Sequence, residues 1–506
     1  MPADERPYRR RVLLNTASTS AATVWSMVVM LVWVPLLLHG LGASAFGVWA
    51  LLQAFSATNG WLSVAELGIG TSITTFVAER AARDEHDEAA AVGRAGTVVL
   101  LVIGVICAIA MVAFGLTAFA GAFHVPHSLR DDLRVAIPFF AVQIVPDLLL
   151  KGSTSELEGH QRVDLSRVVD GARRTLVAAT TSVVALAGGG LAGVAIASLV
   201  ATAVAAMFGA ALAHRVGGRA TARGWTRQLR PVAAYSWRVA LVDAQGVLHR
   251  SMDRVIVGAA IGPEAVALVE IATQVQNAAN AVLAAASYAV ISSSAWLRSR
   301  GDHASLRELL ERGTRYSLLV TWPFAVGIAV LAGPLIHVWV GGRYHDAAGL
   351  VAVALVPLVA APFAVGSNML RGTGRISRVL WPAVAATTVN LVASIVLVNR
   401  YGIVGVFVGT IIGTAVLVPS LGRAVLDEYG VTVREFLGQA VVPALVPNLI
   451  LFAVALATTA LLRGAVVTIA VTAVVGALVY ALATLRIGLR HGEARELVGV
   501  VRRQPA

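Results

Sequence analysis

A chain of 506 residues that is 57% hydrophobic and only 13% charged departs from soluble domains, in which about 25% of residues are charged. Its mean hydropathy is +0.77, and its apolar stretches reach roughly 20 residues, the length of a helix that crosses a bilayer. The alternation of a membrane barrel is absent, so the sequence predicts an all-α integral membrane protein, and the net charge of +12 calls for no nucleic acid, since basic residues gather in cytoplasmic loops and set orientation.

In chain order, Arg9, Arg10 and Arg11 precede an apolar run over 12–38, with "ASA" at Ala43 to Ala45. The run is far longer than a signal peptide's apolar region, which predicts an uncleaved first transmembrane helix. Fourteen spans are expected: 12–38, 44–65, 95–120, 133–150, 172–188, 190–213, 232–260, 264–292, 316–340, 346–369, 379–398, 402–422, 439–461 and 465–486. With the amino terminus inside, alternate loops place 32 of the 40 Lys and Arg residues on the inner side. Arg130, Arg134, Arg343, Arg400 and Arg463 fall outside, and Arg238, Arg250 and Arg254 fall within the seventh span. A misplaced helix would reverse every later loop, and none reverses, so both termini are expected in the cytoplasm. The single Cys107 lies in an apolar run, which excludes an intramolecular disulfide.

Three phrases recur in order. "LGASAFGVW" (41–49) matches "IGPEAVALV" (261–269). Leu157, Gly159 and Arg162 match Leu370, Gly372 and Arg375, and "GLAGVAIASLVATAV" (190–204) matches "GIVGVFVGTIIGTAV" (402–416). All three pairs keep nearly the same offset along the chain and fall at equivalent loops or span starts. The chain therefore reads as two copies of a six-helix unit with two helices appended. The domains expected are an N-lobe over 1–214, a basic cytoplasmic linker over 215–231, a C-lobe over 232–426, spans thirteen and fourteen over 427–487, and a cytoplasmic tail over 488–506. Six is an even number, so both copies enter the membrane in the same sense, which places a pseudo-two-fold axis along the membrane normal. Gly405, Gly409 and Gly413, with Gly193, Ala197 and Ala201 in the first copy, are expected to form close helix-packing faces.

"LGASAFGVWALLQAF", followed by "ELGIGTSITTFVAE", resembles the amino-terminal signature of Wzx-type polysaccharide flippases, in the multidrug/oligosaccharidyl-lipid/polysaccharide transporter superfamily. "LRGTGRISRVLWPAVAATTVNLVASIVLVNRYGIVGVFVGTIIG", with Asn390 in mid-helix, looks like the matching carboxy-terminal block. The resemblance implies a cell-membrane flippase that moves an undecaprenyl-diphosphate-linked oligosaccharide, with polysaccharide polymerase and glycosyltransferases as potential partners beside membrane lipids. It departs from the family pattern at Val269-Glu270, where a Tyr-rich stretch is expected.

Charged groups inside a bilayer are costly and usually face a cavity or a partner. The seventh span holds Asp243, His249, Arg250, Asp253 and Arg254, and at about 100° per residue Asp243, Arg250 and Arg254 fall within roughly 40°. Two readings stand: Arg250 or Arg254 meets the diphosphate, or Arg250 and Asp253 neutralise each other at i, i+3. Glu270 is a candidate for ion coupling or for contact with Arg254, and Glu66 ends the second span. Asp147 is expected to pair with Lys151 one turn on.

His124 and His127 sit in a short outer loop and predict no metal site, and "GTGR" lacks the context of a phosphate-binding loop. No cofactor is expected, and no ATPase module is present, which leaves H+ or Na+ gradients, membrane potential or product consumption as energy sources. A lipid II flippase and an ion-coupled multidrug exporter share the expected fold. The first span has no carboxylate, which weakens the exporter. A membrane glycosyltransferase or ligase would want a larger outer domain than the short loops here, so no enzyme is expected.

Overall fold

The computed structural model describes residues 5–58, 60–66, 68–217, 224–287 and 289–489. These residues form helices and turns, without strands. Contacts divide the chain into two compact units, Met1–Glu270 and Ile271–Ala506. Packing and repeat thus divide the chain at different points, because the seventh helix lies against the second, third and first helices.

The first unit holds α1 (Glu5–Ala54), α2 (Ile69–Ala81), α3 (His86–Phe114), α4 (His127–Gly159), α5 (Val163–Leu186), α6 (Gly190–Gly217), α7 (Trp225–Ala260) and the start of α8 (Pro263–Ser287). Helix α4 packs on α6 and α3, and α5 packs on α1 and α6. Leu150, Leu157, Val169, Ala206 and Ala213 form the seam between α4, α5 and α6. Trp25 and Trp33 of α1 donate to Thr175 and Thr181 of α5, at 2.9 and 2.8 Å. The second unit continues with α9 (Ala289–Ser299), α10 (His303–Val330), α11 (Ala332–Trp339), α12 (Ala347–Leu355), α13 (Pro362–Gly372), α14 (Ser377–Tyr429), α15 (Val442–Leu461) and α16 (Ala465–Ala483). Its core joins Leu310, Val365, Met369, Val425 and Phe436.

Polarity is inverted relative to a soluble protein. Ile109, Val183, Val396 and Val466 are each about two-thirds exposed, while Ser72, Thr314 and Ser394 are fully buried. Such a surface is stable only against lipid, where backbone and hydroxyl groups must be satisfied from within. Among the described residues eight helices are long and apolar enough to cross a membrane, or ten if each of two bent pairs is one span. Helices α1 and α14 also break internally at Gly42 and Gly402. The expected spans at 172–188, 232–260 and 264–292 are not among those eight, since charged or polar residues dilute them. The expectation of fourteen therefore continues to rest on charge alternation.

The repeat is written into the backbone. Gly42 and Gly262 both have positive φ, as do Gln161 and Gly374, and Gly190 and Gly402, each pair at the spacing of its repeated phrase. Two further pairs, Asp84 with Gly301 and His124 with Gly341, share one intermediate spacing and complete one left-handed residue in every turn between the six helices of each copy. Hydrogen bonds repeat as well: Arg162 N donates to Leu157 O at 2.9 Å, and Arg375 N to Leu370 O at 2.7 Å. Glu85 N donates to Arg80 O, and Asp302 N to Leu297 O in the same way. A Cβ on Gly159 would press on Thr74 O, and one on Gly372 would press on Ile291 O, the equivalent carbonyl of the second copy.

The doubled glycine phrase forms the second arm of a helical hairpin in both copies. Gly405, Gly409 and Gly413 lie against Leu397, Ser394, and Ala386 with Asn390, while Gly193 lies against Val184 and Thr180 reaches Ala197 O. Within α14 the missing side chains let Ser394 Oγ donate to Asn390 Oδ1 at 3.0 Å and to Val406 O at 3.2 Å. Close approach and interhelical hydrogen bonds replace the hydrophobic effect, which does not drive helix association in lipid.

Candidate functional site

Helix α7 carries the densest set of predicted site residues. The side chains of Asp243 and Arg250 lie outside the described residues, so the expected Arg250–Asp253 pair is not among the described contacts. Asp253 is partly buried. The next residue, Arg254, turns to α8, where its Nε lies 3.0 Å from Glu270 Oε2. Glu270 is 7% exposed. The contact anticipated between Arg254 and Glu270 is thus present, and it brings two of the predicted residues together.

Glu270 lies on the same helix as a second contact. Ser44 Oγ, just past the break in α1, donates to Glu264 Oε1 at 2.9 Å. Beside it, a Cβ on Gly47 would collide with the Pro263 carbonyl. Only glycine permits this approach, and the two touching turns are the members of the first repeated phrase. Glu264 and Glu270 are fewer than two turns of helix apart. Trp49, which is 1% exposed, braces this segment edge-on against Phe140, with ring centroids 6.1 Å apart. The repeat alignment itself places Ser44 opposite Glu264 in register, which was the one sequence signal for this contact.

The carboxylates elsewhere have other partners. Glu66 accepts from Gly70 N at 3.1 Å and lies 3.4 Å from Lys151 Nζ. Asp147 does not pair with Lys151. Arg173 of α5 lies 3.7 Å from Asp147, and Gln143 Nε2 lies 3.5 Å from it. Spacing along α4 put Lys151 one turn away, but the neighbouring elements offered each group a partner across a helix interface.

Among the described residues no cluster of three or more His, Cys, Asp or Glu could hold a metal ion, and Cys107 is a free, buried thiol. The arrangement supplies an arginine on α7 held by a buried carboxylate on α8, together with a hydrogen-bonded contact between two turns.

Residues 41–349 match the family described as polysaccharide biosynthesis protein. The chain belongs to the polysaccharide biosynthesis protein family. No curated protein matches it. Among solved structures, this family member resembles a lipid II flippase MurJ in an inward closed conformation, with TM-score 0.72, 14% identity, and coverage of 95% of this chain and 99% of that one. It also resembles an inward-facing multidrug resistance MATE family transporter of the MOP superfamily, with TM-score 0.61, 17% identity, and coverage of 82% and 94%. An outward-facing MATE transporter matches with TM-score 0.54 and 18% identity over 82% and 95%. At these identities the likeness establishes the fold alone, that of a multi-pass, all-α membrane protein.

Proposed function

We propose that this protein flips an undecaprenyl-diphosphate-linked oligosaccharide across the cytoplasmic membrane by alternating access, supplying cell-surface polysaccharide synthesis. The observation that carries the reading is the pair of contacts on α8: Ser44 to Glu264 at 2.9 Å, and Arg254 to Glu270 at 3.0 Å. Both lie in a chain whose family is polysaccharide biosynthesis. The two six-helix lobes, 1–214 and 232–426, related by a pseudo-two-fold axis along the membrane normal, would rock against each other so that access alternates between the two sides. Both termini face the cytoplasm, and the appended helices of 427–487 lie beside the tail of the cargo.

A diphosphate offers Arg254 more acceptor oxygens than Glu270 does, and guanidinium forks bind such groups through paired donors. Its arrival would draw Arg254 away from Glu270. Because Glu264 lies on the same helix, the release would loosen the Ser44 contact and let the turns part. Asp253, Asp243 and Arg250 on α7 would tune the charge of the path, and Glu66 would sit toward its inner end. The protein acts as a translocase rather than an enzyme, and an H+ or Na+ gradient or the membrane potential would drive it. Lipid II is the second reading, favoured by the fold likeness to a flippase of that name; the family description favours polysaccharide.

Cysteines at Ser44 and Glu264, introduced into a Cys107→Ala protein, test the gate. Oxidation with copper–phenanthroline should join the turns and stop polysaccharide export, and reductant should restore it. Export at the full rate with the bond formed would sink the gate.

A further inference from the structure

The turn that carries Leu-x-Gly-x-x-Arg has the same backbone in both copies but opposite charge. Over 156–170 the first copy holds Glu156, Glu158, Arg162, Asp164, Arg167 and Asp170, two arginines against four carboxylates. Over 369–383 the second copy holds Arg371, Arg375 and Arg378 and no acid. Arg162 is neutralised by Asp164 through two bonds of 3.0 Å. With Arg162 aligned on Arg375, the counterparts of Asp164 and Leu165 are Ser377 and Arg378. Since the first copy makes the same turn with the opposite charge, the turn itself does not require these arginines.

Three guanidinium groups gather on one carboxylate there. Glu428 lies 3.5 Å from Arg298, 3.3 Å from Arg375 and 3.0 Å from Arg378, leaving an excess of two positive charges. Glu428 is mostly buried, at 13% exposed, while the arginine side chains are 39–50% exposed and available to a further anion. Apolar groups flank them. Trp381 shares the helix face of Arg378 at i+3 and is 69% exposed; Ile376 is 49% exposed. Trp296, 54% exposed, lies under Arg300 at 4.1 Å. Exposed tryptophans beside arginines are the pattern of headgroup depth, where indole rings anchor membrane proteins. A soluble phosphate would make no use of them. In the first copy the place of Trp381 is taken by Val168.

We propose that Arg298, Arg375 and Arg378, with Trp381, bind the phosphate headgroup of an anionic phospholipid, on the side of the membrane that carries the basic loops. This site is separate from the pair on α8 and does not depend on the nature of the cargo.

The test is native mass spectrometry of the full-length purified protein with phosphatidylglycerol, phosphatidylcholine, undecaprenyl diphosphate or inorganic phosphate. Ser377→Asp gives Arg375 the partner that Arg162 has, and Arg378→Leu installs the first-copy residue. A basic residue near an anionic surface contributes roughly fivefold in affinity, so the double variant should hold phosphatidylglycerol roughly 25-fold more weakly, with phosphatidylcholine unchanged. Arg298→Gln, with its melting temperature recorded, should lose roughly fivefold and serves if the double variant fails to fold. Asp164→Ser in the first copy should leave phosphatidylglycerol binding unchanged. Unaltered phosphatidylglycerol affinity in these second-copy variants would overturn the proposal. So would a site that takes only undecaprenyl diphosphate, or one emptied equally well by inorganic phosphate.

Discussion

Removing one member of the Arg254–Glu270 pair and then both separates packing from transport. The two side chains are 16% and 9% exposed and 3.0 Å apart. Arg254→Gln removes the guanidinium charge that lies 3.0 Å from the buried Glu270 carboxylate. Breaking a buried pair from one side costs about 3–5 kcal/mol, whereas removing both charges is often close to neutral. Arg254→Gln should therefore lower the melting temperature of the detergent-purified protein and reduce its yield. Arg254→Gln/Glu270→Gln should regain most of that stability. Export should not return with it, because the diphosphate would have lost its guanidinium. Arg254→Lys should restore the charge and part of the stability but little export, since a lysine cannot offer paired donors. The assay is surface polysaccharide in cells, normalised to protein in the membrane, alongside melting curves. A double variant that exports at the wild-type rate would show that the pair only holds α7 to α8, and the proposed role in cargo recognition would fall.

Two further outcomes follow from the fold. Gly409→Val would drive a side chain into Ser394 and should destabilise the hairpin by about 1–3 kcal/mol, as overpacked cores do; Gly327→Ala, which meets nothing within 4 Å, should leave the melting temperature nearly unchanged. In a Cys107→Ala protein, a membrane-impermeant thiol reagent should reach a cysteine at Arg343 from outside the cell and one at Arg223 only after permeabilisation, and the opposite pattern would overturn the topology.

Much of the fold could be read from the sequence because the repeat leaves residue identities in three of its turns. The other two turns were silent. Asp84 and Gly301, or His124 and Gly341, share a left-handed backbone but no side chain, so only φ values and hydrogen bonds reveal them. The glycine faces were legible because small residues at every fourth position have few other uses in lipid. Ion pairs were less so. Glu270 could be matched to Arg254 because the two carry opposite charge in neighbouring spans. Asp147 had an attractive local partner in Lys151, and spacing along one helix cannot show that Arg173 approaches from the next. The Ser44–Glu264 contact required knowing that two equivalent turns meet. The helices over 172–188, 232–260 and 264–292 are diluted by charged or polar residues, and only the alternation of basic loops marks them as crossing the membrane.

Transport in a defined bilayer tests the central claim most directly. The purified protein would be reconstituted into liposomes carrying a fluorescent undecaprenyl-diphosphate-linked oligosaccharide, with a membrane-impermeant quencher outside. Movement of the oligosaccharide between leaflets should depend on the protein, continue without nucleotide, and fall sharply with Arg254→Gln/Glu270→Gln. Liposomes in which the intact protein leaves the oligosaccharide in its original leaflet, under imposed H+ and Na+ gradients and a membrane potential, would contradict the account.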